Sequence, residues 1–224
     1  MTYGQISGND SINNTIYRCF DYICSEDQHK FIKKFRDQPD DSEQIMHTFR
    51  ELILGSYLNS MNLKVVYDYR INDESPDWCI LDSKSSIKGI IELTNFHIDR
   101  LTEKEIKNQM ERKGISIIWK KNKKNLERLY QSISLKIQKY QDLVKKLRIP
   151  YIVAIFGDFL AAVKFEEVII CLNDKKFNLF ELYPELSGVL YFQEFSGRYF
   201  FEYKNNPNAL RICNVPNGSF PLKL

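Results

Sequence analysis

Histidine, glycine and cysteine are scarce in this chain, and long apolar runs are missing. Its 224 residues include three histidines, five cysteines and nine glycines. The cysteines, Cys19, Cys24, Cys79, Cys171 and Cys213, are odd in number and scattered, form no CxxC pair and have no histidine cluster beside them. This spacing argues against a zinc framework or a disulfide scaffold and leaves buried free thiols. Gly55 and Gly157 stand isolated, so there is no glycine-rich phosphate loop, and neither a Ser-His-Asp order nor zinc-ligand spacing occurs. No uncharged apolar stretch reaches the roughly eighteen residues that a membrane-spanning helix needs. The opening Met1-Thr2-Tyr3-Gly4-Gln5 has neither the basic region nor the apolar core of a secretory signal, so the expected location is cytoplasmic.

Aromatic and basic residues, by contrast, are plentiful. Hydrophobic residues make up 43% of the chain, with fifteen Phe and thirteen Tyr, enough for a sizeable core in one domain with a helical appendage. The net charge of +3 conceals an uneven distribution. Residues 100–148 hold fifteen Lys/Arg against five Asp/Glu, so the remainder of the chain is acidic. A concentrated basic region is the electrostatic footprint of a polyanion binder, and a solvated helix face is the plainer alternative.

Periodicity divides the chain into a helical beginning and an α/β remainder. Ile12, Ile16, Cys19, Phe20 and Ile23 recur at helical spacing, and Ser25 followed by Gln28 signals a second short helix ending near Arg36. Pro39-Asp40-Asp41 breaks the chain. Residues 1–40 therefore read as an N-terminal helical extension with no chemistry of its own, and residues 41–224 as the main domain. A helix over residues 42–59 carries Ile45, Phe49, Leu52 and Ile53 on one stripe and His47, Glu51, Leu54 and Leu58 on the other, which requires cover on both faces. Residues 63–69 are a strand, followed by strands after Pro76 and from Gly89 in a three-strand meander. Residues 101–125 are highly charged and read either as a helix or as a substrate-facing flap. Leu126, Leu129, Ile133, Ile137, Tyr140, Val144 and Leu147 mark one face of a long helix that Pro150 ends, and the apolar run 151–156 has the character of a buried central strand. Residues 165–172 read as a helix, 190–192 with 199–203 as a late hairpin, and the chain beyond Asn205 as an irregular tail.

The chemistry concentrates in Ser75-Pro76-Asp77-Trp78-Cys79-Ile80-Leu81 and Gly89-Ile90-Ile91-Glu92-Leu93-Thr94, which read as adjacent antiparallel strands joined by a polar hairpin. An Asp at the start of one strand and a Glu near the end of its neighbour can lie side by side. Two carboxylates among apolar neighbours repel each other and lose hydration, which a divalent cation between them relieves. Such a centre suits metal-dependent phosphodiester chemistry. The ordinary alternatives are a turn Asp in Ser-Pro-Asp and a Glu92 that faces solvent from a half-buried strand.

Pro76-Asp77, the interval of fifteen residues to Glu92, and Glu92-Leu93-Thr94 resemble the signature of the PD-(D/E)xK nuclease superfamily. The resemblance spans roughly residues 42–157 and rests also on the order helix, strand, strand, helix, strand. It implies a restriction-endonuclease-like α/β fold, a mixed central β-sheet flanked by helices. It further implies a Mg²⁺ (or Mn²⁺) ion held by Asp77, Glu92 and the Leu93 carbonyl, with Glu51 assisting. The chain departs from the pattern at Thr94, which stands where the superfamily usually has the lysine that orients the attacking water. A hydroxyl can bond that water but supplies no positive charge. Lys136, at the buried border of the long helix, is the expected substitute, with Lys88 a rival; the ordinary role for Lys136 is a snorkelling stem. His97 is a further acid–base candidate, although a lone His after a strand is commonly structural.

The function implied is metal-dependent hydrolysis of nucleic-acid phosphodiesters. The basic region 100–148 would grip phosphates, with DNA favoured over RNA and a homodimer left open. One rival is a nuclease-fold binding module without catalysis. Another is an interaction subunit that uses Tyr191, Phe192, Phe195, Tyr199, Phe200, Phe201 and Tyr203, residues that a core hairpin would equally explain.

Overall fold

The computed structural model describes residues 10–38, 41–96, 108–109, 111–112, 123–157, 164–174 and 177–220. Among the described residues three helices come first: α1 (Asp10–Phe20), α2 (Ser25–Asp37) and α3 (Ser42–Ser60). Then follow β1 (Val65–Tyr67), β2 (Trp78–Leu81), β3 (Ile87–Phe96), α4 (Lys123–Leu147) and β4 (Tyr151–Gly157). The chain continues through α5 (Phe165–Asn173), α6 (Leu179–Leu182), β5 (Leu186–Phe195), β6 (Arg198–Asn205) and β7 (Gly218–Phe220). The seven strands lie in one sheet in their chain order. The meander β1–β2–β3 is antiparallel, β3–β4–β5 are parallel, and β5–β6–β7 are antiparallel again. Each parallel step needs a crossover; α4 supplies the first, α5 and α6 the second. The fold is therefore α/β with a mixed sheet. Strand β3 runs on to Phe96, beyond the apolar run that marks it in sequence, and β7 pairs with β6 out of a segment whose sequence reads as irregular.

Alternation along the strands sends side chains into two cores. Ile91, Leu93, Ile152, Ala154, Leu190 and Phe192 pack with α1, α2 and α3, whereas Ile90, Tyr151, Val153, Ile155 and Val189 pack with α4 and α5. Helix α3 is enclosed: every residue from Thr48 to Leu58 is buried, the two-sided cover that its two apolar stripes require. Toward its end Tyr57 stacks on Phe201 of β6, with ring centroids 3.6 Å apart. Two residues earlier it crosses Trp78, the first residue of β2. A β-carbon at Gly55 would lie 1.9 Å from the indole ring, so only glycine allows this crossing. The Trp78 indole N–H donates to the Glu51 carbonyl at 3.0 Å, which fixes the start of β2 against the helical turn that carries Glu51.

Helices α1 and α2 share the α3 core through Cys19, Ile23, Phe31 and Phe35. Phe31 stacks on Tyr67 of the edge strand β1, with centroids 4.0 Å apart. Asp27 accepts the Tyr67 backbone N–H at 2.9 Å, and Lys30 donates to the Tyr67 carbonyl at 2.6 Å, so α2 occupies backbone groups that an open sheet edge would expose. In the late hairpin Tyr191, Phe192, Tyr199 and Phe201 belong to the core, and Phe195 and Phe200 are exposed. The five cysteines are free thiols. Among the described residues no helix is long and apolar enough to cross a membrane.

Candidate metal centre

Strand β3 outruns β2. The last β2–β3 pair is Trp78 opposite Ile91, yet β3 continues to Phe96 and, among the described residues, pairs there only with β4 on its other side. The sheet has a notch here, and side chains from both layers meet in it. Asp77 precedes β2 by one residue and so lies opposite Glu92, on the face that packs against α4. Its Oδ2 accepts the Leu93 N–H at 2.7 Å, and its own N–H donates to Glu92 Oε1 at 3.0 Å. Glu92 Oε2 receives the Lys136 ammonium from α4 at 2.8 Å. Lys136 is held in turn: the Tyr151 hydroxyl of β4 donates to its carbonyl at 2.7 Å.

From the opposite layer α3 contributes His47 and Glu51, one helical turn apart on the same stripe. His47 Nε2 lies 3.2 Å from Glu51 Oε1, and the Tyr67 hydroxyl donates to Glu51 Oε2 at 2.5 Å. The Lys34 ammonium of α2 stands 3.5 Å from the same Oε2 and donates to the Tyr67 hydroxyl oxygen. His47, Glu51 and Asp77 each present a ligand atom, and the three atoms lie within 4.8 Å of one another.

Burial and mutual charge push these groups apart in acidity. Burial, then the charges of Glu92 and Glu51, raise the Asp77 carboxyl well above its ordinary range, against the opposing pull of Lys136 and the Leu93 N–H. Burial also works against the Glu51 carboxylate, but the hydrogen bond from His47 and the charge of Lys34 outweigh it and hold this group below its ordinary range. For Lys136, burial disfavours the ammonium, and Glu92 with Asp77 more than offset that, so its pKa rises. Three carboxyl groups thus face two ammonium groups, so ionising all three leaves negative charge in excess that an added cation would offset.

Asn95 of β3 bears on whether His47 can ligate such a cation. The Asn95 amide nitrogen lies 2.6 Å from His47 Nδ1, while Asn95 Oδ1 is buried with no hydrogen-bond partner among the described residues. With an ion bound, the turned-over amide would let Oδ1 accept an Nδ1–H, and the Nε2 that donates to Glu51 without the ion would present its lone pair to the ion instead. An imidazole oriented through its other nitrogen is the usual form of a metal-ligating histidine. The donor set of two carboxylates and one imidazole fits a divalent ion, and the nitrogen favours Mn²⁺ over Mg²⁺.

The residues marked in the sequence fall out as follows. Asp77, Glu92, Lys136 and Glu51 come together. Thr94, two residues beyond Glu92 on the same face, is half-buried and lines a cleft of about 280 Å³ with His47, Asn95 and Lys136. Leu93 contributes its backbone. Lys88 does not reach the site: it pairs with Asp82 at 3.3 Å within the β2–β3 hairpin. His97 lies outside the described residues, as does most of 100–122; of the basic region, Lys139, Lys145 and Lys146 are exposed on α4. The sequence marks neither Lys34, Tyr67 nor Asn95, and it offers His47 on the stripe of Glu51 and as the partner of a surface Glu51, the plain alternative to a role at a metal. The pairing of His47 with Glu51 four residues later was a visible signal. Nothing local in the sequence links Lys34 to a residue 33 positions away.

Scans against protein-family models, curated proteins and solved structures find no match for this chain.

Proposed function

We propose that the protein is a divalent-metal-dependent nuclease whose centre lies in the notch of the sheet. The observation that carries this reading is the convergence of Asp77, Glu92 and Lys136, from three successive elements, with Glu51 and His47 entering from the other layer. The order helix, meander, helix, parallel strand agrees with the restriction-endonuclease-like fold that the PD-(D/E)xK resemblance implies. Asp77, Glu51 and His47 would hold a Mn²⁺ or Mg²⁺ ion, with Glu92 adjoining. Because Leu93 turns its N–H into the notch, its carbonyl opens on the same edge, as both groups of one residue do in an extended strand. A bound ion supplies Lewis acidity toward phosphoryl oxygens and toward water.

The chain's own groups complete the centre. The Lys136 ammonium, held by Glu92, can orient an attacking water and offset charge that develops on the phosphate, the part played by a lysine at the position of Thr94 in the superfamily. The Thr94 hydroxyl offers that water a second hydrogen bond. Lys139, Lys145 and Lys146 carry positive charge along α4 for the phosphate backbone, with DNA the favoured polymer.

The test is a digestion panel of single- and double-stranded DNA and RNA with Mn²⁺ or Mg²⁺, run beside Asp77→Asn. Cleavage that chelation stops and the variant lacks supports the reading. No cleavage by the parent under any condition overturns it. Salt-sensitive binding without cleavage, with a log–log slope of about −0.7 to −0.9 per phosphate neutralised, would identify a binding module instead.

A further inference from the structure

We infer that Lys34 and Tyr67 are positioning residues that make Glu51 a one-oxygen ligand, so that the N-terminal helices are part of the metal centre. The inference rests on the proposed ion at Glu51 and adds the machinery that presents it.

The chain of hydrogen bonds has one direction. A lysine ammonium only donates. The Tyr67 oxygen accepts from Lys34, and the Tyr67 proton goes to Glu51 Oε2 at 2.5 Å. A phenol ordinarily gives up its proton only at about pH 10, so the hydroxyl has that proton to donate. Lys34 itself adds a second contact to Oε2 at 3.5 Å. With Oε2 engaged by two donors, Oε1 is left toward His47 and Asp77.

The relay is also rigid. Tyr67 is fully buried, its ring is stacked on Phe31, and Asp27 and Lys30 hold its backbone N–H and carbonyl. Four residues of α2, Asp27, Lys30, Phe31 and Lys34, therefore hold Tyr67 and Glu51, and all four lie outside the stretch bearing the nuclease resemblance. Groups that orient a metal ligand in this way commonly change metal affinity by about 10–100-fold when removed.

Lys34 permits a discriminating test, because charge and orientation predict opposite signs. Were Lys34 merely a nearby cation, its removal would tighten binding of a divalent ion; as the head of the relay, its removal loosens binding. Mn²⁺ alone is titrated calorimetrically into the full chain, with ion-free melting curves to establish folding. Tyr67→Phe is expected to weaken Mn²⁺ binding by about 10-fold or more. Lys34→Met is expected to weaken it too, and Lys34→Arg, which keeps a donor and the charge, to stay close to the parent. Unchanged or tighter binding in Lys34→Met overturns the inference, as does unchanged affinity in Tyr67→Phe. Should Tyr67→Phe fail to fold, Lys34→Met decides alone, since the Lys34 side chain is 35% exposed and its loss leaves no cavity in the core. A parent that binds no Mn²⁺ overturns the metal reading and this inference together; a parent that binds it, with variants unmoved, overturns only this inference.

Discussion

Helix α4 reaches toward the sheet with two lysines, about two and a half helical turns apart. Lys136 meets Glu92 at 2.8 Å, and Lys145 meets Glu185 at 3.1 Å. Both glutamates are buried, and by distance alone the pairs are alike. Their surroundings differ. Burial opposes the Glu185 carboxylate, but its own backbone N–H and Lys145 hold its pKa below the ordinary range, the behaviour of a balanced pair. Beside Glu92 stands a second carboxylate, Asp77, whose pKa is driven up by burial and by Glu92 and Glu51. An ion pair whose charges cancel fastens a helix to a sheet. One that leaves acid in excess strains the cluster and marks a site, since perturbed and opposed acidities gather where chemistry is done.

The sharpest way to break this comparison is to remove each lysine. Lys136→Met is expected to lower the proposed cleavage by about 10²–10³, the usual loss for one preorganised electrostatic group, while far-ultraviolet dichroism and nucleic-acid binding persist. A variant that cleaves like the parent would place Lys136 with Lys145 as a fastening. A smaller effect tests the exchange of position: Thr94→Lys added to Lys136→Met is expected to recover about 10-fold in rate, roughly 1.4 kcal/mol of barrier. Position 94 shares the Glu92 face and opens on the same cleft. No recovery would mean that an ammonium from β3 cannot take the place of one from α4.

The legibility of the two pairs in sequence differs for a physical reason. The meander, α4 and β4 follow from local periodicity, and Asp77 with Glu92 from an acid placed among apolar strand residues. Lys136 followed from its angle on the helix, whereas its rival Lys88 is an exposed residue of β3 that the structure pairs with Asp82. Lys34, Tyr67 and Asn95 were not legible, because their roles arise from contacts between elements distant in sequence. The notch itself depends on β3 outlasting β2, which the register shows and which composition conceals. Strand β7 escaped for a related reason: three residues, Gly218-Ser219-Phe220, are too few for a period, and pairing with β6 alone makes them a strand.

A stability measurement sharpens the comparison from the acid side. Asp77 has a folded pKa above its unfolded value of about 3.9, so the fold favours its protonated form. Its ionisation therefore costs stability as pH rises from about 4 through the raised value, the reverse of a carboxylate such as Glu185 whose folded pKa is depressed. With divalent ions chelated, Asp77→Asn is expected to melt a few degrees above the parent at pH 8, each kcal/mol being worth about 2–4 °C in a chain of this size. At about pH 3 the two should melt alike, because Asp77 is protonated in both folded and unfolded parent. Added Mn²⁺ should raise the parent's melting temperature and leave the variant's nearly unmoved. A variant less stable than the parent at pH 8 would show that the Leu93 N–H and Lys136 already compensate Asp77.

The smallest effect is expected at Lys145, and it is the control on which the comparison stands. The Lys145 side chain is 48% exposed, so water screens its charge and competes for its ammonium. Pairs of this kind contribute about 0–1 kcal/mol. Glu185 is 8% exposed and its Oε2 has no hydrogen-bond partner among the described residues, but its own backbone N–H and Gln141 lower its pKa beside Lys145. Lys145→Met should therefore shift the melting temperature by no more than about 4 °C and leave the rate on a short oligonucleotide within a factor of about two. On a long polymer it should weaken binding at low salt and reduce the slope of log affinity against log salt by at most about one contact, because one of the exposed α4 lysines is lost from the proposed phosphate surface. A loss of rate comparable to that of Lys136→Met would erase the distinction between the two pairs and would move the catalytic cation away from the notch.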